Sequence, residues 1–324
     1  MKTLGVEVLR GEEVESRHQV HLIAVDTSGQ ALWRHGDLSR PTFPRSAIKP
    51  MQAMLFADVH APQNDRERRR LSLASSSHWA ARLHLDVLRD WHAAEKFHDD
   101  DLICGPQTPR DADEQRRLIL EDKPVCRLHN NCSGKHTAFL HVCRERGWSA
   151  QGYGDFAHPL QVELRRLHSE MSGIDWDRLP WGIDGCGIPT SLVPVENLLR
   201  LTTAFAGQVK TDARIQRVVD AVLAYPEMVA GPKGFCTRFM QVARGEWLVK
   251  TGAEGNYLGL NLKNGVSFYL KVEDGNSRAS EFAVMEMGRR FSESSALRSE
   301  LEAWQAEPLT NWSGESIGRL RLTP

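Results

Sequence analysis

The chain has 324 residues, with 41 Lys and Arg against 42 Asp and Glu and a formal net charge of -1. That balance excludes the basic stripe of a nucleic-acid binder, and 41% hydrophobic residues with 9 Trp and 11 Phe exclude an acidic disordered chain. A chain of this length buries roughly 75% of its unfolded surface, so a core can hold it without staples.

The N-terminal text is strand-like. Residues 4–9 alternate loosely, 10–13 read as a turn, and 20–25 alternate again before a turn at 26–29 and a short strand at 30–33. Residues 39–44 carry two prolines and read as loop. From Ser46 the pattern becomes helical, with Ile48, Met51, Met54 and Leu55 at three- and four-residue spacings. The charge run 65–70 predicts a solvated helix start. Leu85, Leu88, Trp91 and Ala94 predict a second amphipathic helix over 84–97. Two Gly-containing turns, 130–134 and 184–189, interrupt a mostly helical middle. Ile215, Val218, Val219 and Val222 predict a helix over 212–223. Short strands follow at 247–249, 259–262 and 266–272, then a helix over 280–291. The residues from 307 onward suggest no element.

Strands, helices, strands, helix is the order of a mixed α/β (α+β) fold. The end strands are expected to pair in one antiparallel sheet flanked by helices, as a single domain over 1–324. No Gly-rich loop follows a strand, so nucleotide binding has no support. No run of about 18 apolar residues marks a membrane helix. Residues 1–10 hold no apolar signal region, and six cysteines are too few for a disulfide scaffold. Both point to a reducing, cytoplasmic setting with free thiols.

Two motifs point to acyl transfer. Ser46-Ala47-Ile48-Lys49 puts a serine and a lysine on one face of a helix start, where a neutral amine can act as base for the hydroxyl. Alone it arises about once by chance in a chain this long, and an N-capped surface helix explains it as well. Lys250-Thr251-Gly252 follows a strand, and its glycine permits close backbone approach. S-x-x-K followed by K-T-G is the order found in penicillin-recognising serine enzymes. Ser75-Ser76-Ser77-His78 can supply a middle element, a helix cap being the plain alternative.

Two cysteines sit in Gly-containing turns, in Asn130-Asn131-Cys132-Ser133-Gly134-Lys135-His136 and in Asp184-Gly185-Cys186-Gly187-Ile188-Pro189-Thr190. Two thiolates with a nitrogen ligand and water suit Zn²⁺, and Lys135 would favour the thiolates. Spacing leaves two buried free thiols equally open. Cys104, Cys126, Cys143 and Cys236 have no comparable setting.

With these stretches the chain resembles the thermolabile, Rhizobium-etli-type L-asparaginases. The matching text includes residues 14–18, Phe43-Pro44-Arg45-Ser46-Ala47-Ile48-Lys49-Pro50, Ser77-His78 and Cys104-Gly105-Pro106. It continues with the two cysteine runs, Lys250-Thr251-Gly252-Ala253-Glu254-Gly255 and Lys271-Val272-Glu273-Asp274-Gly275, all in family order. The resemblance implies a serine β-lactamase/glutaminase-like fold, a homodimer and L-asparagine as the small-molecule substrate. It implies two catalytic tandems, Ser46 with Lys49 and Ser77 with Lys250. It implies a zinc site at Cys132, Lys135 and Cys186 that supports substrate binding, with Arg45, His78, His136 and Asp184 around substrate and ligands. A lysine bound to a metal must be neutral, so its pKa is expected to be depressed there.

One stretch departs from the family. After Ser-His the family commonly continues with a small polar residue and Gly-Glu, where this chain has Trp79-Ala80-Ala81. The candidate acid for the substrate's α-amino group is missing. Two alternatives therefore stay open: a serine amidohydrolase with a shifted substrate (glutaminase- or β-lactamase-like), and a non-catalytic metal-binding relative.

Overall fold

In the computed structural model, which describes residues 2–323, the alternating N-terminal text becomes two long strands, β1 (Leu4–Arg10) and β2 (Glu13–Val25). The chain divides into two compact units. The first runs up to Ala47, takes in Val193–Gly207 and resumes from Val242; the second is Ile48–Leu192 with Gln208–Gln241.

The first unit is built on an eight-stranded sheet. Its other strands are β3 (Ala31–His35), β4 (Trp247–Gly252), β5 (Asn256–Asn261), β6 (Ser267–Val272), β7 (Leu309–Thr310) and β8 (Ser316–Thr323). The order is β7-β8-β1-β2-β6-β5-β4, with β3 also on β2, and every pairing is antiparallel. This is the expected class: an antiparallel sheet, its end strands joined through β2 and β6, flanked by helices. Residues 20–25 of β2 are all buried, so both faces of the sheet are covered there. The helices Val195–Gly207 and Ser277–Phe291 pack on it.

The tail is where expectation and structure part. Residues 309–310 and 316–323 are strands, and β8 pairs with β1 from Gly5–Thr323 to Arg10–Gly318. β8 escaped the reading although Arg319-Leu320-Arg321-Leu322 alternates, because that alternation is short and its apolar residues are only half-buried. A helix over Ser295–Ala306, capped by the Ser294 side chain, also went unread.

The second unit is mostly helical. The helix expected from Ser46 is a 3-10 turn (Arg45–Ile48) running into two short helices, Lys49–Gln52 and Met54–Val59. The charge run opens Asp65–Ala74 behind an Asn64 cap, and the next stripe forms Arg82–Glu95. The turn expected at 130–134 is shorter: residues 130–132 turn, with the Ser133 amide donating to the Asn130 carbonyl at 2.9 Å, but Ser133 and Gly134 already belong to the helix Ser133–Glu145, whose residues 133–143 are all buried. Residues 184–189 do turn, with the Asp184 amide donating to the Ile188 carbonyl at 2.8 Å between two short strands, Trp181–Ile183 and Pro189–Ser191.

This unit stores neutral histidines. Burial pushes His84 and His141 down to about 4 and His168 to about 3, against an ordinary 6.5. The unfolded chain therefore binds more protons than the folded one between those values. Stability is full above about 6.5 and falls as pH drops toward 4. The urea midpoint should fall over that window, and His168→Gln should flatten the fall. A pH-independent midpoint would contradict it.

Candidate active site

Lys49 is the hub of the second unit's polar centre. It is 1% exposed, and its amine has three acceptors. Nζ donates to the Ser76 carbonyl, to Ser77 Oγ at 3.2 Å and to Cys132 Sγ at 3.1 Å. Spacing in the sequence pairs Lys49 with Ser46, but none of these bonds goes to Ser46. The Ser77 backbone is fixed by its amide donating to the Val229 carbonyl at 2.8 Å.

A second lysine extends the centre. Lys135 Nζ donates to Cys186 Sγ at 3.0 Å, and Cys186 is hydrogen-bonded to Cys132. The structure thus brings Cys132, Lys135 and Cys186 together. The bond from Cys186 holds Cys132 well below the usual thiol range against burial, with Lys49 and Lys135 adding to it. The same bond, with burial, pushes Cys186 well above that range. Cys132 occupies the N-cap position of Ser133–Glu145 without a side-chain cap bond, and its Sγ donates to Asn131 Oδ1 at 3.0 Å. Burial alone would lower Lys135, but Cys186, Cys132 and Asp184 outweigh it and hold the amine above its ordinary value. Two sulfurs and one amine suit a borderline-soft divalent cation once the amine and thiol lose their protons. Among the described residues no cluster of three His, Cys, Asp or Glu gathers, and the nitrogen beside Cys186 Sγ is this amine.

The surrounding loop is tightly held. Gly134 lies against the helix Asp65–Ala74: a Cβ there would sit 2.4 Å from the Leu73 carbonyl oxygen. Asn130 Nδ2 donates to the Gly105 carbonyl at 2.8 Å, and the Asn131 amide donates to Gln107 Oε1 at 2.9 Å. The Ala80 amide donates to His78 Nδ1, which leaves Nε2–H to donate to Ser133 Oγ at 2.9 Å. Burial keeps His78 neutral, so it braces the 77–80 turn. His136 is likewise buried and neutral, 2.8 Å from the Tyr153 hydroxyl through Nδ1. Gln107 and Tyr153 escaped the sequence reading. Gln107 directly follows the Cys104-Gly105-Pro106 match, which was its only signal.

In the first unit, Arg45 sits at φ 52°, a left-handed conformation in a non-glycine residue immediately before Ser46. Such backbone costs on the order of 1–3 kcal/mol and clusters at functional sites. Ser46 is half-buried. Gly252 explains its place in K-T-G, since a Cβ there would lie 2.6 Å from the Pro44 carbonyl oxygen. Lys250 is 1% exposed and donates to the Thr251 carbonyl at 2.6 Å. His18 Nδ1 meets Asp274 Oδ2 at 2.6 Å, and His21 Nε2 meets Glu273 Oε1 at 2.9 Å, so two of the family-like stretches converge through the β2–β6 pairing.

Residues 6–322 match the family described as L-asparaginase II. The chain belongs to the L-asparaginase II family. Membership makes it an amidohydrolase acting on a small molecule. No curated protein matches the chain. Among solved structures it is similar to a β-lactamase from Sphaerobacter thermophilus, at 15% identity and TM-score 0.41, covering 90% of this chain and 94% of that one. It is also similar to D-alanine carboxypeptidase AmpC from Burkholderia cenocepacia, at 12% identity and TM-score 0.34, covering 88% and 91%. Likenesses this low pass no residue role to this L-asparaginase II family chain.

The family departure at Trp79 has a local form. Trp79 lies against Gly231, where a Cβ would be 2.9 Å from the indole Cγ and φ is +81°. The Trp79 carbonyl accepts from the Arg110 and Asp111 amides, both at 3.0 Å, and Ala80 is left-handed at φ 58°. The tryptophan is thus built into the turn that follows Ser77.

Proposed function

We propose that the protein is a Rhizobium-etli-type L-asparaginase, cytoplasmic and homodimeric, that hydrolyses the side-chain amide of L-asparagine to L-aspartate and ammonia. The hydrogen bond from Lys49 Nζ to Ser77 Oγ, inside a family match spanning 6–322, carries this reading. Ser46, Lys49, Ser77 and Lys250 are its catalytic group. Ser46, after the left-handed Arg45, attacks the amide carbon, and Lys49 Nζ takes up the proton. Ser77 and Lys250 pass protons to the departing ammonia and from the hydrolytic water. A second reading, in which Ser77 is the nucleophile, is favoured by the same Lys49 contact. Ammonia release from L-asparagine and L-glutamine separates the possibilities. Ser46→Ala is expected to lose turnover and acyl-enzyme together. Near-normal turnover in that variant would move the attack to Ser77, and no ammonia from either amide in the unsubstituted protein would leave the non-catalytic alternative. Preference for glutamine would point to Trp79-Ala80-Ala81 as the cause.

Cys132, Lys135 and Cys186 would hold zinc. When bound, the ion supplies positive charge and Lewis acidity for substrate binding. Zinc is expected to raise the melting temperature of the protein, with one ion per chain by native mass spectrometry, and to release protons as Lys135 and Cys186 lose theirs. Cys186→Ser should abolish the shift. An unchanged melting temperature in the unsubstituted protein would remove the metal from the site.

A further inference from the structure

Six free cysteines are present, and two of them form a pair in the polar centre. Cys132 and Cys186 are 5% and 4% exposed and hydrogen-bonded to each other. One sits at a helix N-terminus, the other in a tight hairpin turn. Each sulfur has its own buried ammonium neighbour, Lys49 at 3.1 Å on Cys132 and Lys135 at 3.0 Å on Cys186. Two adjacent sulfurs in a cationic setting are the arrangement of an attacking thiol with a resolving thiol beside it. Cys132 Sγ also meets Asn131 Oδ1 at 3.0 Å, and Cys126 lies against His129 Nδ1 at 3.1 Å. Cys104, fully buried, is the rival resolving partner.

We propose that Cys132 and Cys186 close a reversible disulfide when the protein meets a peroxide, and that this closure switches the site off. The Cys132 sulfur attacks one peroxide oxygen. The O–O bond breaks, an S–O bond forms, and the thiol's proton leaves with the other oxygen as water. Cys186 sulfur then attacks the sulfenic sulfur. An S–S bond forms, the S–O bond breaks, and the hydroxyl leaves as a second water with the Cys186 proton. Peroxide gains two electrons and the two sulfurs lose them. A disulfide sulfur is a poor acceptor, so Lys49 loses one of its three partners while still lying against Ser77. The closure also consumes both sulfur donors of the metal set. The switching consequence rests on the function proposed above; the closure itself does not.

The test keeps the two apart. Metal-free full-length protein is treated with one equivalent of hydrogen peroxide and read by mass spectrometry. The expected product has lost two hydrogens, yields a cross-linked peptide joining Cys132 to Cys186, and reverts with dithiothreitol. Cys186→Ser should stop at a sulfenic acid on Cys132 that dimedone traps. A bridge from Cys132 to Cys104, a sulfinic acid at Cys132 without any bridge, or unmodified thiols would each overturn the proposal, and the unsubstituted protein alone suffices to see them. In parallel, ammonia release should fall by about tenfold or more on closure and return on reduction. Closure with unchanged ammonia release overturns the switch. No ammonia release before treatment, with the bridge still formed, places the failure in the asparaginase reading. Closure at the same rate with and without zinc places it in the metal reading.

Discussion

Lys49→Met is expected to lower ammonia release from L-asparagine by about a thousandfold or more, the scale of losing a positioned base together with its contact to Ser77. Lys49 is the residue on which the polar centre of the second unit converges. Its amine is the shared donor to the Ser76 carbonyl, Ser77 Oγ and Cys132 Sγ. The methionine keeps the length and apolar stem and deletes only the charge and donors. Because it also leaves the Ser76 carbonyl and the Cys132 sulfur without this donor, some stability should be lost too, and the melting temperature separates the two effects. Ser77→Ala should cost a similar factor. The double variant should cost scarcely more than either alone, because residues that act as a unit are not additive. Fully additive losses, or near-normal turnover in Lys49→Met, would remove the pair from the chemistry.

Gly134→Val is the largest stability change expected. The added Cβ would fall 2.4 Å from the Leu73 carbonyl oxygen and 2.7 Å from Leu73 Cγ. Backbone cannot swing aside as a side-chain tip can, so the helices Ser133–Glu145 and Asp65–Ala74 would have to separate. Overpacking of this kind costs about 3 kcal/mol. Gly207→Ala, which meets nothing within 4 Å, should stay within about 0.5 kcal/mol. Urea unfolding of both variants gives the comparison. Equal midpoints would mean that the contact at Leu73 carries no constraint. Since Cys132 and Lys135 flank Gly134, loss of the close contact should also weaken zinc uptake.

Much of the fold could be read from local text. Residues 4–9, 84–97, 212–223 and 266–272 became strands or helices within a few residues of their expected bounds, because apolar periodicity is a property of neighbours along the chain. Where burial was uneven, the reading failed. β8 offers only the short alternation of Leu320 and Leu322 with Arg319 and Arg321, and the sheet's hydrogen bonds to β1 make it a strand. The 130–134 run looked like a turn because Asn and Gly favour turns, yet Gly134 is in a helix to admit Leu73.

The site divides along the same line. Sequence by itself determined the cast: a near-neutral chain, two S/K motifs in order, two cysteine runs, and membership of a family spanning 6–322. Tertiary structure alone decided the partners. Spacing placed Lys49 with Ser46, three residues away, but its hydrogen bonds reach Ser77 and Cys132, 28 and 83 positions along the chain, and Lys135 reaches Cys186 across 51. Periodicity carries information over a few turns. A buried amine instead takes whichever acceptors the packed helices bring within reach, since leaving it unpaired costs more than any local preference can return.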